Sequence, residues 1–345
     1  MRLRLSITLV SIAAFAGLTA CSENKADAPD FDTKYKSEGN LPGDGNSEVE
    51  TQTDGTANPE AKMSKAESLP YSQSAPKFDL KDAISILSKN ISCQNTGLEI
   101  VGGAKASDED LVAASTFRIV MNKSHYCSAT LIGKNQLLTA AHCFDGVSRA
   151  DQIEIGFGTD GLPVDNLKAR AYKIHPQYKG MASIASAIPE TQLYDLAVIV
   201  FEGELSERMA PVRLAEPGFV FTSMPLVIAG YGVTSTNDQT RRPLAWIITN
   251  LATLSNKFNE LQIEQKTGRG ACYGDSGGPA YIAGNEGRCL QLIGSVSGPN
   301  RGSLNCDAGG GLLMDVTRQR VWISCAYKSL RYPLNYINTS GFNCD

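Results

Sequence analysis

Residues 274–279 read Gly-Asp-Ser-Gly-Gly-Pro, and this hexapeptide narrows what the chain can fold into more than any other segment. Gly277 and Gly278 permit backbone angles that a Cβ would forbid, so the turn is tight and presents the Ser276 hydroxyl at its tip. Asp-Ser-Gly-Gly is also ordinary surface-turn chemistry. A serine beside an acid on such a turn nevertheless favours a nucleophile, and we interpret Ser276 as a candidate reactive group.

Two other segments supply the groups that a serine nucleophile needs. The stretch Thr-Ala-Ala-His-Cys at 139–143 offers His142 as a base, and Tyr-Asp-Leu-Ala-Val-Ile at 194–199 places Asp195 just before a wholly apolar run. Cleaving an amide requires a nucleophile, a base that takes its proton, and an acid that fixes the tautomer of the base. A lone buried histidine or a solvated acid would be the ordinary alternative at each position.

In this order the segments resemble the trypsin and chymotrypsin family of serine proteases, over residues 100–326. The resemblance implies an all-β fold of two six-stranded antiparallel β-barrels with the active site between them, followed by a C-terminal helix. It implies that Ser276 is the nucleophile, His142 the base and Asp195 the orienting acid. It also implies that the backbone N–H groups of Gly274 and Ser276 form the oxyanion hole.

Asp275 is interpreted through the same resemblance as part of an activation device. A buried carboxylate must find a counter-charge or its pKa rises. In the family the counter-charge is an ammonium freed by cleavage, here that of Ile100 in the Ile-Val-Gly-Gly stretch after a cut following Glu99. His125 matches the family histidine that can hold the aspartate before the cut. The chain is therefore expected to be a zymogen that depends on an activating protease.

The resemblance also locates the primary specificity pocket. It places Gly270 at the base and Gly311 at the far wall, and it assigns Ser297 and Pro299 to the same pocket. A buried acid at the base is what selects Lys or Arg, so Gly270 disfavours that preference, and the two glycines favour a large apolar or aromatic residue.

An acidic preference remains the alternative specificity. Arg269 or Arg301 would recognise the acid, and Glu99 at the expected activation cut motivates the idea. Family members continue Val-Ser with Trp-Gly, whereas this chain continues with Gly298 and Pro299. Proline has no backbone N–H, so Pro299 could remove a donor from substrate pairing.

The nine cysteines divide into one and eight. Cys21 ends Leu-Thr-Ala-Cys at 18–21, which resembles the bacterial lipobox, and an even remainder in an exported chain predicts four disulfides. The resemblance pairs Cys127 with Cys143 and Cys272 with Cys306. The other four, Cys93, Cys289, Cys325 and Cys344, allow three connectivities, and we favour Cys93 with Cys289 and Cys325 with Cys344.

The N-terminal hundred residues differ from the rest of the chain. Arg2, Arg4 and an apolar run at 5–20 predict an export signal over residues 1–21, and two or more acyl chains on Cys21 would tether the protein to a membrane. An ordinary signal peptide with an incidental cysteine is the alternative. Residues 22–80 lack any hydrophobic period and predict a disordered tether. Residues 81–99 predict a propeptide with one short helix, and residues 100–345 the serine protease domain. We expect a cell-envelope location, lipid-anchored or released.

Charge excludes one class of partner. Residues 22–99 carry 14 acids and 8 bases, residues 100–345 carry 22 of each, and the formal net charge is −4. This balance gives no electrostatic basis for binding nucleic acid. The resemblance implies protein or peptide substrates as the partners. With three histidines and no pair of ligands at finger spacing, no metal and no cofactor are expected.

Short apolar runs punctuated by Gly, Pro and Asn predict strands at 117–121, 129–132, 196–201 and 226–229. Helical spacing first appears at 316–326. His175 is expected to be a surface residue without a catalytic role. A catalytically silent protease-fold binding module on the cell surface is the alternative function, and an esterase is disfavoured because its serine would stand in a different glycine pattern.

Overall fold

The computed structural model describes residues 103–108, 110–180, 194–218, 220, 222–235, 240, 242–255, 259–264, 270–284, 289–299, 306, 311–337 and 344. The expected signal peptide, tether and propeptide, with Cys21, Cys93 and Ile100, lie outside these residues. Within the described residues no helix has the length and apolar character needed to cross a bilayer.

Nearly all of the regular structure is β. The elements are β1 (Ala104–Lys105), β2 (Thr116–Met121), β3 (His125–Gly133), β4 (Gln136–Thr139), β5 (Ile153–Gly156), β6 (Lys168–Ile174), β7 (Ala197–Glu202), β8 (Arg213–Leu214), β9 (Pro225–Gly230), β10 (Ala245–Ser255), β11 (Glu260–Ile263), β12 (Pro279–Gly284), β13 (Cys289–Pro299), β14 (Gly311–Asp315) and helix α1 (Arg320–Ser329).

The first sheet contains six antiparallel strands in the order β5-β2-β3-β4-β7-β6. Its strands are rich in β-branched and aromatic residues, which suit a curved, half-buried surface. Side chains that point inward fill its core with no solvent exposure, among them Phe117, Ile119, Leu131, Leu137 and Phe201. This sheet forms a half-barrel. The segment with His142 follows its strand β4, and Asp195 precedes its strand β7.

The second sheet closes on itself. Strand β9 pairs with both β10 and β12, so the path β10-β11-β14-β13-β12-β9 returns to its start as a ring of six strands. The two-residue strands β1 and β8 add to this ring at β10 and β13, and the β8 pairing is parallel. The expected all-β, chymotrypsin-like fold with a C-terminal helix is confirmed.

The predicted strand segments lie within β2, β3, β7 and β9 apart from Leu196, one residue before β7, whereas the helix prediction is displaced. We expected a helix over 316–326, and α1 is Arg320–Ser329. The delay has a local cause, because the carboxylate of buried Asp315 accepts hydrogen bonds from the Thr317 backbone N–H at 3.0 Å and the Thr317 hydroxyl at 2.6 Å. This arrangement is an Asx-type turn, which competes with helix formation.

Helix α1 and the segment after it pack on the first sheet although they follow the second sheet in the chain. The buried Tyr327 hydroxyl donates to the Leu137 carbonyl in β4 at 2.6 Å, and the Tyr336 hydroxyl donates to the Ile132 carbonyl in β3 at 3.2 Å. The Gln136 side-chain amide donates to the Tyr332 carbonyl. Residues 320–337 therefore lie across β3 and β4, and we call this segment the strap.

Three disulfides are present among the described residues. Cys127 bonds to Cys143, Cys272 to Cys306, and Cys325 in α1 to Cys344 near the chain end. The first two are the pairs implied by the family resemblance, and the third is the pair favoured for the C-terminal cysteines. Cys93 and the side chain of Cys289 lie outside what the structure describes.

We predict that the tyrosine hydrogen bonds of the strap stabilise the fold. Tyr327→Phe removes a short, fully buried hydrogen bond to the Leu137 carbonyl, so we expect the free energy of unfolding to fall by about 1–2 kcal/mol. The Tyr336 hydroxyl is less buried, bonds to the Ile132 carbonyl at the longer distance of 3.2 Å and also contacts the Leu214 backbone. Tyr336→Phe serves as the comparison, with an expected loss of about 0.5–1 kcal/mol. Urea unfolding at unchanged m-value measures both. Equal losses in the two variants would contradict the prediction.

Candidate active site

His142 lies in a single 3₁₀ turn, Ala141–Phe144, that leaves the end of β4. The side chain is buried, with a relative exposure of 6%. The next residue, Cys143, is bonded to Cys127 in β3, so the turn is covalently attached to the neighbouring strand. This linkage limits how far the imidazole can move relative to the sheet.

Asp195 is fully buried just before β7 and accepts three hydrogen bonds. Its Oδ1 accepts from the backbone N–H of His142 at 2.8 Å, and its Oδ2 lies 2.7 Å from His142 Nδ1. The Ser297 hydroxyl donates to the same Oδ2 at 2.6 Å. A carboxylate facing Nδ1 favours the tautomer with the proton on that nitrogen, which leaves Nε2 as the basic atom.

The electrostatic surroundings of His142 favour its protonated form. Burial lowers the pKa of the imidazole, but the charge of Asp195, the hydrogen bond to Asp195 and the charge of Asp145 together outweigh burial and raise it. A raised pKa makes the imidazole a stronger base. The pair His142 and Asp195 therefore has the geometry and the electrostatics of a general base with its orienting acid.

Ser276 lies at the tip of the glycine turn before β12, half-buried. Gly277 has a φ of +78°, and a Cβ there would meet the Ala140 backbone nitrogen at 2.7 Å. The Ser276 carbonyl accepts from the Ser128 N–H at 2.8 Å and lies 4.0 Å from the Cys143 sulfur. The serine turn of the second sheet is thus packed directly on the segment that carries His142.

Ser128 in β3 makes contacts at the site that the sequence did not predict. Its hydroxyl donates to the Gly274 carbonyl at 2.9 Å and accepts from the Tyr231 N–H at 3.1 Å, while its own carbonyl accepts from the Thr139 hydroxyl at 2.8 Å. One buried serine therefore links the turn at 274–276 with both sheets. Its sequence context, inside an apolar strand, carries no signal of this role.

Asp275, the residue directly before Ser276, is fully buried. Its two carboxylate oxygens accept from the backbone N–H groups of Gly232, at 2.8 Å, and Cys272, at 2.9 Å. Burial raises the pKa of Asp275 to about 7, and the two hydrogen bonds only partly offset that rise. A Cβ at Gly230 or Gly232 would collide with this carboxyl, which explains glycine at both positions.

His125 lies at the exposed start of β3, and the charged groups that act on it are His142 and Asp145, not Asp275. Burial lowers the pKa of His125, the charge of His142 lowers it further, and Asp145 raises it. The described contacts of Asp275 do not include His125. The other expected partner of Asp275, the amine of Ile100, lies outside the described residues.

The residues assigned to the specificity pocket divide into two groups. Gly270 and Gly311 are buried, and Gly311 pairs with Pro299 across β14 and β13. Ser297 instead directs its hydroxyl to Asp195. The register of β13 shifts between Val296 and Gly298, which leaves Ser297 out of the ladder, and a bulge of this kind re-aims a side chain. Arg269 and Arg301 are outside the described residues.

His175 is not the surface residue we expected. Its relative exposure is 1%, and burial lowers its pKa to about 3. The imidazole lies between the rings of Tyr194 and Trp322, with centroid separations of 4.6 and 4.5 Å. The apolar neighbours come from distant parts of the chain, so the local sequence does not reveal the burial.

One group of potential metal ligands lies close together in the described residues, namely Cys127, His142 and Cys143. The two sulfurs form a disulfide, so neither is a thiolate. Zinc binds deprotonated cysteine, and this group therefore lacks the chemistry of a metal site.

Comparison with known proteins places this arrangement in a family. The family model described as Trypsin matches residues 100–323. A trypsin from Sarcophaga bullata is 30% identical over 228 residues, which cover 60% of this chain and 81% of the relative. A trypsin from Phaedon cochleariae is 28% identical over 219 residues, covering 59% and 79%.

A third relative is longer. Transmembrane protease serine 11G from Rattus norvegicus is 29% identical over 218 residues, which cover 58% of this chain and 49% of that protein. The family model covers well over half of the chain, and its boundaries enclose the described histidine, aspartate and serine segments. The chain belongs to the trypsin family of serine proteases.

Proposed function

We propose that the protein is an exported serine endopeptidase that acts through an acyl-enzyme, with Ser276, His142 and Asp195 as its triad. The observation that carries the proposal is the buried His142–Asp195 pair, with Nδ1 and Oδ2 separated by 2.7 Å. The contact of the serine turn with the segment before His142 supports it. Family membership supports the reaction class.

In the proposed reaction His142 Nε2 removes the Ser276 hydroxyl proton as Oγ attacks the scissile carbonyl carbon. The carbonyl electron pair moves to oxygen, where the backbone N–H groups of Gly274 and Ser276 stabilise the charge. The protonated His142 then donates its proton to the leaving amine as the C–N bond breaks. His142 then removes a proton from water as the water oxygen attacks the ester carbonyl carbon. The ester C–O bond breaks, and His142 donates that proton to the departing Ser276 Oγ.

Gly274 fits the oxyanion role by its conformation. Its φ is +96°, a region that side-chain-bearing residues rarely adopt, and the Ser128 hydroxyl holds its carbonyl. Removing one donor of an oxyanion hole costs about 10²- to 10³-fold in rate, so fixing this turn matters for activity.

The zymogen proposal rests on Asp275. A buried carboxyl with a pKa near 7 and, among the described residues, only two backbone donors is poised to bind a cation. Cleavage after Glu99 would supply the ammonium of Ile100. His125 has no described contact with this carboxyl, so the zymogen proposal does not depend on it.

We propose the same division of the chain as its sequence predicts. Residues 1–21 would be the signal, 22–80 the tether, 81–99 the propeptide and 100–345 the protease domain, with Cys21 as the lipid anchor to the cell envelope. Disulfides in the described part fit an oxidising, extracellular setting. Gly270 and Gly311 support an open pocket for apolar or aromatic residues.

The triad is tested by covalent labelling of protein cut after Glu99. A fluorophosphonate probe is expected to label the wild type and the exposed-serine control Ser148→Ala, but not Ser276→Ala. Asp195→Asn is expected to turn over peptide about 10⁴-fold more slowly, the loss known for this change in the family's type enzyme. Absence of labelling in the cut wild type would favour the catalytically silent binding module.

The pKa of Asp275 predicts how stability depends on pH. The folded, uncut chain binds this proton more tightly than the unfolded chain, so the free energy of unfolding falls as pH rises from about 4 to about 7. The loss due to this group is up to about 4 kcal/mol.

The comparison with Asp275→Asn isolates this dependence. The variant is expected to lack this part of the pH dependence, and cleavage after Glu99 is expected to reduce it in the wild type, because the ammonium lowers the pKa of Asp275. Chemical unfolding at a series of pH values measures both. Identical pH profiles for the uncut wild type and Asp275→Asn would refute the prediction.

Specificity is tested with a peptide library and the activated enzyme. Cleavage after large apolar or aromatic residues is expected to exceed cleavage after Lys or Arg by about 10-fold or more. Gly270→Asp places a buried acid at the base of the pocket and is expected to raise cleavage after Lys and Arg. Strong wild-type cleavage after basic residues would contradict the pocket assignment. Cleavage after acidic residues would favour the alternative in which Arg269 or Arg301 recognises the acid.

A further inference from the structure

The backbone immediately before Asp195 has an unusual conformation. Tyr194 has a φ of +44°, in the left-handed region that bulky side chains avoid. The Leu196 N–H donates to the Tyr194 carbonyl at 2.8 Å, which closes a three-residue turn centred on Asp195. A conformation of this kind persists only where the surrounding structure holds it in place.

A stack of three rings supplies that support. The buried ring of Tyr194 lies parallel to the imidazole of His175, with a centroid separation of 4.6 Å and an interplanar angle of 17°. The other neighbour of His175 is Trp322 in α1, at 4.5 Å and 46°. Offset and tilted ring pairs of this geometry are favourable beyond the area that they bury.

A backbone hydrogen bond fixes the other side of the turn. The His175 N–H donates to the Leu196 carbonyl at 2.9 Å. The residue before Asp195 is therefore held through its ring, and the residue after it through its carbonyl, with His175 as the partner in both contacts. His175 thus anchors the residues on both sides of Asp195.

His175 is suited to this place because it stays neutral. Burial lowers the pKa of His175 to about 3, so it brings no charge near the carboxylate at neutral pH. Its Nδ1 lies 3.2 Å from the Gln177 backbone nitrogen and accepts that N–H, which places the ring proton on Nε2. A neutral imidazole stacks as an aromatic ring without competing for Asp195.

We propose that Tyr194 is a positioning residue, whose ring, stacked on His175, holds its own backbone in the left-handed conformation that directs the Asp195 carboxylate to His142. Trp322 supports this stack as the other ring neighbour of His175. The proposal rests on the proposed triad. Without the ring, an alanine backbone relaxes toward ordinary negative φ, and a glycine backbone is no longer held at one φ because glycine adopts positive and negative values alike. In both cases the carboxylate moves away from Nδ1. The coupling reaches α1 through Trp322, and α1 is held to β4 by Tyr327.

The pKa of His142 reports the position of Asp195 directly. The charged groups that face His142 are Asp195, Asp145 and His125. A change at Tyr194 leaves Asp145 and His125 in place, so displacement of Asp195 lowers the pKa of His142. The chain contains three histidines, and His175 does not titrate near neutral pH. An NMR titration therefore shows two curves, those of His125 and His142.

The test compares three substitutions at Tyr194 with one control in the full chain. Tyr194→Ala removes the ring, Tyr194→Gly removes the ring while relieving the backbone, and Tyr194→Phe keeps the ring. Phe157→Ala truncates the Phe117–Phe157 pair, another aromatic contact of the first sheet at 5.6 Å. We expect Tyr194→Ala and Tyr194→Gly to lower the His142 pKa by about 0.5 or more, a change that Tyr194→Phe and Phe157→Ala do not produce.

Kinetics of the activated enzyme give the second readout. Tyr194→Ala and Tyr194→Gly are expected to lower kcat about 10- to 100-fold with KM changed less than about two-fold, and the acid limb of the pH–rate profile moves to lower pH. Tyr194→Phe restores most of kcat. If Tyr194→Ala does not fold, Tyr194→Gly carries both measurements.

The outcomes separate this proposal from the triad itself. An unchanged His142 pKa in a folded Tyr194→Gly protein overturns the positioning role, as does an equal pKa change in Phe157→Ala. Failure of the fluorophosphonate probe to label the wild type overturns the proposed catalysis instead. The NMR titration requires no turnover, so it decides the positioning proposal in either case.

Discussion

The hydrogen bonding of the Asp195 carboxylate is the constraint around which the two sheets are arranged. An ionised carboxylate without exposure to water is costly unless donors surround it. Its donors come from the 3₁₀ turn after β4, through the backbone N–H and the Nδ1 of His142, and from β13 in the second sheet, through Ser297. The sheets must therefore meet at this point for the acid to be tolerated at all.

The second buried carboxylate, Asp275, has a different environment. Asp195 accepts three hydrogen bonds and faces an imidazole, whereas Asp275 accepts two from backbone amides and has its pKa raised to about 7 by burial. The two acids belong to one site, yet one accepts hydrogen bonds from a histidine and the other lacks a described counter-charge. Such divergence between neighbouring acids is typical of groups with separate functional tasks.

Much of this site could be predicted from the sequence because the family motifs are local. The hexapeptide at 274–279 and the segments around His142 and Asp195 are recognisable within a few residues each, and the strands follow from short apolar runs. Ser128 and Ser297 were not predicted in their observed contacts. Both are small polar residues inside strands, and their partners are 146 and 102 residues away in the chain.

The other differences between expectation and structure also depend on distant contacts. His175 is buried because Tyr194 and Trp322 cover it, and no local pattern places those rings together. Ser297 reaches Asp195 because the β13 register shifts at that residue, which depends on pairing with β14. The helix starts late because the Asp315 side chain holds Thr317 in a turn, a signal that apolar spacing does not contain.

The strap at the C-terminus gives the histidine segment a support that the two sheets alone would not provide. Strand β4 ends three residues before His142, so its position sets that of the base. Tyr327 donates to Leu137 on this strand, and Gly277 of the serine turn packs against Ala140 just beyond it. The strand is thus held from the C-terminal helix on one side and from the nucleophile turn on the other. Loosening either contact moves the base relative to the serine, and a misplacement of about 1 Å costs about 10²-fold in rate.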